Sequence, residues 1–125
     1  MKEKLISFKT AKLAKEKGFN IICEYFVKKL KNEILTKSQN KNSLLEKNEY
    51  SLSTQALLQK WIREIHKIDV YCDCVGGGLY YSIIYNNNVY PDDNDKVFEK
   101  EKETSYEEAL EEGLYQALLL IPNKL

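Results

Sequence analysis

The sequence predicts an α+β domain: an antiparallel sheet built on a hairpin over residues 68–85, covered on one face by two or three helices. Three observations carry this. Apolar residues recur at helical spacing over 56–65 and 106–121, the period shifts to two from Ile68, and Gly76-Gly77-Gly78 separates two β-rich runs. A length of 125 residues suits one domain, 1–125, because two would each be too short for a dependable core without metals or disulfides. An apolar fraction of 43% and a charged fraction of 30% argue for a folded chain over a disordered one.

In chain order, Ser7 is placed to cap a first helix from Phe8 to Lys17. Gly18 follows as the residue able to turn left-handed, and Phe19 folds back on the last turn. Phe8, Ala11, Leu13 and Ala14 give this helix one narrow apolar stripe. Residues 20–35 stay open between helix and strand: Ile21, Ile22, Tyr25, Phe26, Leu30 and Ile34 suit a helix, yet Ile21 to Val27 is rich in β-formers. Residues 36–50 are polar and turn-prone and are read as a flexible loop interrupted by Leu44-Leu45.

Ser53 is read as the cap of a second helix, Thr54 to about Lys67, with Ala56, Leu57, Leu58, Trp61, Ile62 and Ile65 on its apolar face. Gln55, Gln59, Lys60, Arg63, Glu64 and Lys67 fall to the wetter side. In the strand that follows, Ile68, Val70, Cys72 and Cys74 alternate with Asp69, Tyr71, Asp73 and Val75. Leu79 to Tyr85 returns antiparallel, and Asn86-Asn87-Asn88 turns the chain again. Val89-Tyr90 and Val97-Phe98 offer a short edge strand around the acidic stretch 91–95. Ser105 and Glu108 form a capping box for a last helix whose apolar face carries Tyr106, Ala109, Leu110, Leu114, Ala117, Leu118 and Ile121, ending before Pro122. Gly113, in mid-helix, is read as a close packing contact.

The opening residues hold an apolar run of only Leu5-Ile6 before Ser7, so no signal peptide is read there. The longest apolar stretch, Ala117 to Ile121, falls far short of the roughly 20 residues that span a bilayer. Both point to a cytoplasmic protein without a membrane partner. An odd count of three cysteines, Cys23, Cys72 and Cys74, fits a reducing compartment, and Cys72 and Cys74, two apart on a strand, are read as buried thiols on one face. Charge is asymmetric: residues 1–60 hold 13 basic against 6 acidic residues, and 61–125 the reverse excess, 6 against 13. Mutual attraction of the halves is the plainer reading, a basic face for nucleic acid the sharper one.

No motif supplies catalytic chemistry. The glycine triplet lacks a following Lys-Ser/Thr and leads into a strand, so it reads as a turn and not a phosphate cradle. Counting a calcium loop from Asp92 puts Lys96 and Val97 where an oxygen ligand and a glycine are needed. His66, the lone histidine, has no evident nucleophile and reads as a helix-end or surface residue. Glu107/Glu108 and Glu111/Glu112 are spaced as a solvated helix face. No metal and no cofactor is expected. Nine tyrosines are many for this length, and five crowd the hairpin: Tyr71, Tyr80, Tyr81, Tyr85 and Tyr90. Alternation puts Tyr81 and Tyr85 on one face and Tyr80 on the other, so some rings meet solvent or a partner.

Three segments carry a resemblance: Ala11 to Phe19, the run STQALLQKWIREIH from Ser53 to His66, and SYEEALEEGLYQAL from Ser105 to Leu118. Together they resemble uncharacterised small proteins of Bacteroidetes and their phages, over about half the chain, although Ser53 stands where a proline often precedes the Thr-Gln pair. The resemblance implies a strand or hairpin after Phe19, which tips Cys23 to Val27 towards strand, and the stretch Ile21 to Val27 is expected to extend the hairpin sheet. The group has no assigned activity, so no functional residue carries over. The function expected is a non-catalytic accessory or protein-interaction domain with an unidentified protein partner. The alternative is a nucleic-acid-binding module using N-terminal lysines and hairpin tyrosines, and a hydrolase built on His66 is a third reading. The binding residues assigned are Gln59, Arg63 and His66 of the second helix with Tyr71 and Tyr80 of the hairpin.

Overall fold

The computed structural model describes residues 4–28, 33–76, 79–86, 96–99 and 105–123. The chain is α+β, with three α-helices and two small antiparallel sheets among the described residues. It divides into two compact units, Met1–Thr54 with Pro122–Leu125, and Gln55–Ile121. Length alone suggested one core; each unit has a sheet of its own.

In the first unit, α1 spans Phe8–Glu16, and the Ser7 hydroxyl accepts the Thr10 amide at 3.3 Å. Gly18, at φ 94°, closes it: its amide donates to Lys15 O at 3.1 Å and the Phe19 amide to Ala14 O at 2.9 Å. That pair of bonds satisfies the last helical carbonyls and folds the Phe19 ring inwards, where it is buried. β1 (Cys23–Lys28) lies centrally in a sheet of order β2-β1-β3, between β2 (Glu33–Asn40) and β3 (Glu49–Leu52), all antiparallel. A strand therefore exists at Cys23 to Val27, but the stretch Ile21 to Val27 does not extend the hairpin sheet; β1 pairs with two strands drawn from segments read as ambiguous or as loop.

Residues 36–50 hold the end of β2, a 3-10 turn at Asn42–Leu44 and the start of β3. Their polar composition suggested solvated loop, but the amides serve as internal partners. Asn42 Nδ2 donates to Phe19 O at 2.7 Å, and its Oδ1 accepts the Ser51 amide at 3.0 Å. Ser51 Oγ donates to Asn40 Oδ1 at 2.9 Å, and Asn40 Nδ2 reaches Tyr25 O. Ser51 and both asparagines are buried, where such bonds are nearly obligatory. Lys15 ties α1 to the same segment, its Nζ donating to the carbonyls of Glu46 (2.8 Å) and Glu49 (2.7 Å) above the Tyr50 ring. Burial lowers the pKa of this ammonium, and the Glu49 carboxylate opposes that shift.

In the second unit, α2 (Gln55–His66) passes directly into β4 (Ile68–Gly76) through Lys67, whose φ of 57° makes the reversal without a glycine. β5 (Leu79–Asn86) and β6 (Lys96–Glu99) complete a sheet of order β4-β5-β6. β6 includes the expected Val97-Phe98 edge strand; Gly77-Gly78, Asn87 to Tyr90 and the acidic stretch 91–95 lie outside the described residues. α3 (Tyr106–Leu119) starts from Ser105, whose hydroxyl accepts the Glu108 amide at 3.1 Å, and packs with α2 on one side of the sheet.

Cross-strand pairing sorts the side chains of β4 and β5. Val70 faces Ile84 and Cys72 faces Ser82 on the helix side, where Val70, Ile84 and Ser82 are buried with Leu58, Trp61, Ile62 and Leu114. Gly113 lets α3 approach closely: a Cβ there would stand 2.8 Å from both Ser82 Cβ and Val70 Cγ1. Ser82 Oγ, fully buried beneath it, has no hydrogen-bond partner among the described residues.

Several expected orientations differ. Ala56 and Ile65 of α2 are exposed, while Gln55 is buried and donates to Glu107 O (2.9 Å) and Glu111 Oε1 (3.1 Å). The first turn of α2 thus meets α3 through an amide that polarity alone assigned to solvent. Tyr106, at the first position of α3, is exposed and not part of its apolar face. Ser53 Oγ donates to Thr54 O in place of accepting a helix amide, because Ser53 follows the last strand of the first unit's sheet, its carbonyl accepting the Ile6 amide at 2.9 Å. Cys23 is buried, Cys72 is half-buried and Cys74 is exposed, and none of them is in a disulfide. Cys72 lies by the first residue of α3, its Sγ 3.9 Å from Tyr106 O, so Cys74 extends past the helix that would cover it.

Candidate functional site

The helix-side pairing fixes what lies on the opposite face of the second sheet. Asp69, Tyr71 and Asp73 of β4 project there, opposite Tyr85, Ile83 and Tyr81 of β5. None of the six is fully buried, and Tyr71 is 50% exposed. The rings of Tyr71 and Tyr85 meet edge to face at 5.9 Å, across the diagonal of the ladder. Tyr81 Oη donates to Asp73 Oδ2 at 3.4 Å, while Asp73 Oδ1 accepts the Cys74 amide at 2.8 Å. This face therefore presents aromatic rings held by cross-strand contacts and interspersed with carboxylates. Both helices of the unit lie on the other side.

The sheet's edge at β4 is less available than its face. Gln59 Nε2 donates to Val70 O at 2.7 Å, and the Asp73 carboxylate holds the Cys74 amide. Side chains thus occupy backbone groups that an added strand would need.

The five side chains assigned from sequence do not converge. Gln59 is engaged by Val70 on the helix side, and Arg63 is exposed on α2. The His66 ring packs at 71° on Trp61, with centroids 4.6 Å apart, and burial lowers its pKa, which favours the neutral imidazole. Tyr80 points to the helix side, edge on to Tyr106 at 6.2 Å, whereas Tyr71 lies on the opposite face. Tyr71 alone belongs to the open face. Its neighbours there, Asp69, Asp73, Tyr81, Ile83 and Tyr85, were legible only as the odd-numbered set of an alternating pattern.

The thiols are poor nucleophiles where they are covered. Burial pushes the pKa of both Cys23 and Cys72 up to about 11, so each stays protonated at neutral pH. Tyr106 also titrates above its ordinary range, through burial and the neighbouring Cys72 and Glu107. Among the described residues, no three His, Cys, Asp or Glu side chains are grouped to hold a metal ion. No described helix is long and apolar enough to cross a membrane. In comparisons with known proteins, no family model, no curated protein and no solved structure matches the chain.

Proposed function

We propose that this chain is a non-catalytic protein-interaction or accessory domain, cytoplasmic and of bacterial or phage origin, and that it binds its partner through the outer face of the second sheet. The observation that carries this is the pairing of Asp69, Tyr71 and Asp73 with Tyr85, Ile83 and Tyr81 on the side away from α2 and α3. Tyrosine is enriched at protein interfaces because it offers a large, stiff apolar ring with a polar tip, and here cross-strand contacts hold the rings before any partner arrives. Nucleic-acid binding is disfavoured at this face, since rings that would stack bases stand beside carboxylates that would repel phosphate.

Affinity capture from the native host, comparing the full chain with a Tyr71→Ser/Tyr85→Ser variant, tests the reading. A partner retained in stoichiometric amount by the former and lost by the folded variant is the expected result. Equal retention by both would move the interface elsewhere.

A further inference from the structure

The edges of the first sheet are not equally closed. At β3 the outward backbone is taken up: Glu49 O accepts Lys15 Nζ, the Glu49 amide donates to Glu46 O, the Ser51 amide donates to Asn42 Oδ1, and Ser53 O just beyond accepts the Ile6 amide. β2 forms the other edge and pairs with β1 alone. Among the described residues, no hydrogen bond from outside β1 reaches the backbone of Ile34, Leu35 or Thr36. Ile34 is 60% exposed, and Thr36 is exposed with it. We infer that this edge pairs antiparallel with the same edge of a second copy of the chain, about a two-fold axis at Leu35.

A bare strand edge is matched by another strand, whose donors and acceptors repeat at the same spacing. Pairing with itself satisfies both copies at once, because a two-fold interface sets each position against its counterpart twice. The run Glu33-Ile34-Leu35-Thr36-Lys37 selects the register. Centred on Leu35, it sets Glu33 opposite Lys37 of the second copy, Ile34 opposite Thr36, and Leu35 opposite itself. Glu33 is the one acidic residue of β2 and Lys37 the one basic residue, so no other antiparallel self-pairing brings opposite charges together. A slip of one residue would oppose Glu33 to Thr36 or Ser38, and an in-register parallel pairing would oppose like charges. Ile34 shares the α1 face with Val27 and Tyr50, which are buried, so Ile34 and Thr36 of both copies would prolong that face. The β1–β2 register shifts between Thr36 and Asn40, which keeps the new ladder short and the dimer weak. The tyrosine face belongs to the other unit, so a dimer carries two copies of it.

The test is sedimentation equilibrium of the full chain over a range of concentrations. Its mass should rise towards that of a dimer, half-converted on the order of 100 μM. Lys37→Glu and Glu33→Lys each set like charges opposite one another at two symmetric positions, and each should weaken association about tenfold. The doubly exchanged Glu33→Lys/Lys37→Glu chain restores opposite pairing and should return to within about threefold of the original. Glu64→Lys, the same change of charge on the exposed side of α2, should leave association unmoved. A chain still monomeric at about 1 mM would overturn the inference and leave the edge to a strand of a different protein. Association that ignores Lys37→Glu, a double exchange no tighter than the single variants, or a loss on Glu64→Lys equal to that on Glu33→Lys would each overturn it as well.

Discussion

Three consecutive side chains of β3, Tyr50, Ser51 and Leu52, are buried, whereas along β4 burial alternates, with Ile68 and Val70 covered and Tyr71 half exposed. The first sheet thus has no face free at β3, and its polar groups turn inwards to serve the backbone, as Ser51 and the two asparagines do. The second sheet spends one face on α2 and α3 and keeps rings and carboxylates on the other. Chemistry available to a partner follows the second pattern. A polar residue buried and fully bonded is structural, whereas an aromatic face with fixed carboxylates has contacts left to make.

The strongest way to break the contrast is through the covered side of the second sheet. Leu114→Ala removes a fully buried side chain of α3 and should cost about 2–5 kcal/mol in urea unfolding. An unchanged midpoint would mean that α3 does not seal that face. In the first unit, Asn42→Ala strips Phe19 O and the Ser51 amide of buried partners, each worth roughly 1–3 kcal/mol when left unsatisfied. A loss below about 1 kcal/mol would show water replacing the amide and a looser 42–51 segment.

Gly113→Ala sets two effects against each other. Alanine gains about 1 kcal/mol of helix propensity, but its Cβ would press on Ser82 and Val70, and overpacking of this kind typically costs about 1–3 kcal/mol. Net destabilisation is expected, and a stabilised variant would show that α3 sits further from the sheet.

The smallest effect is pH dependence from His66. Its folded pKa lies below the ordinary 6.5, so between those two values the unfolded chain binds more protons. Stability should therefore fall as pH drops through 6.5 towards the folded pKa, and the His66→Gln variant should lose that part of the slope. Identical slopes in the two proteins would place His66 in solvent.

Much of the second unit was legible because its signals are local. The cap at Ser105, the period change at Ile68 and the helix-interior Gly113 each report a constraint met within a few residues or across one close contact. The first unit was less so. Its β2 and β3 are short, polar and joined through Asn40, Asn42 and Ser51, whose value as partners depends on residues distant in sequence, such as Phe19 and Tyr25. Gln55 was assigned to solvent for the same reason, since its acceptors, Glu107 O and Glu111 Oε1, come from the far end of the chain. At the candidate surface, parity separated Tyr80 from Tyr81 and Tyr85 correctly. It left undecided which parity the helices cover, so Tyr71 and Tyr80 were grouped although they lie on opposite faces.

The tyrosine face should be open in the free protein and occupied in the complex. Limited nitration with tetranitromethane, mapped by peptide mass, reads this directly. In the free chain Tyr71 should react well before the buried Tyr50, and the captured partner should protect Tyr71 and Tyr85 while leaving Tyr106 reactive. Tyr71 nitrated as fast with the partner bound as without it would contradict the assignment of this face.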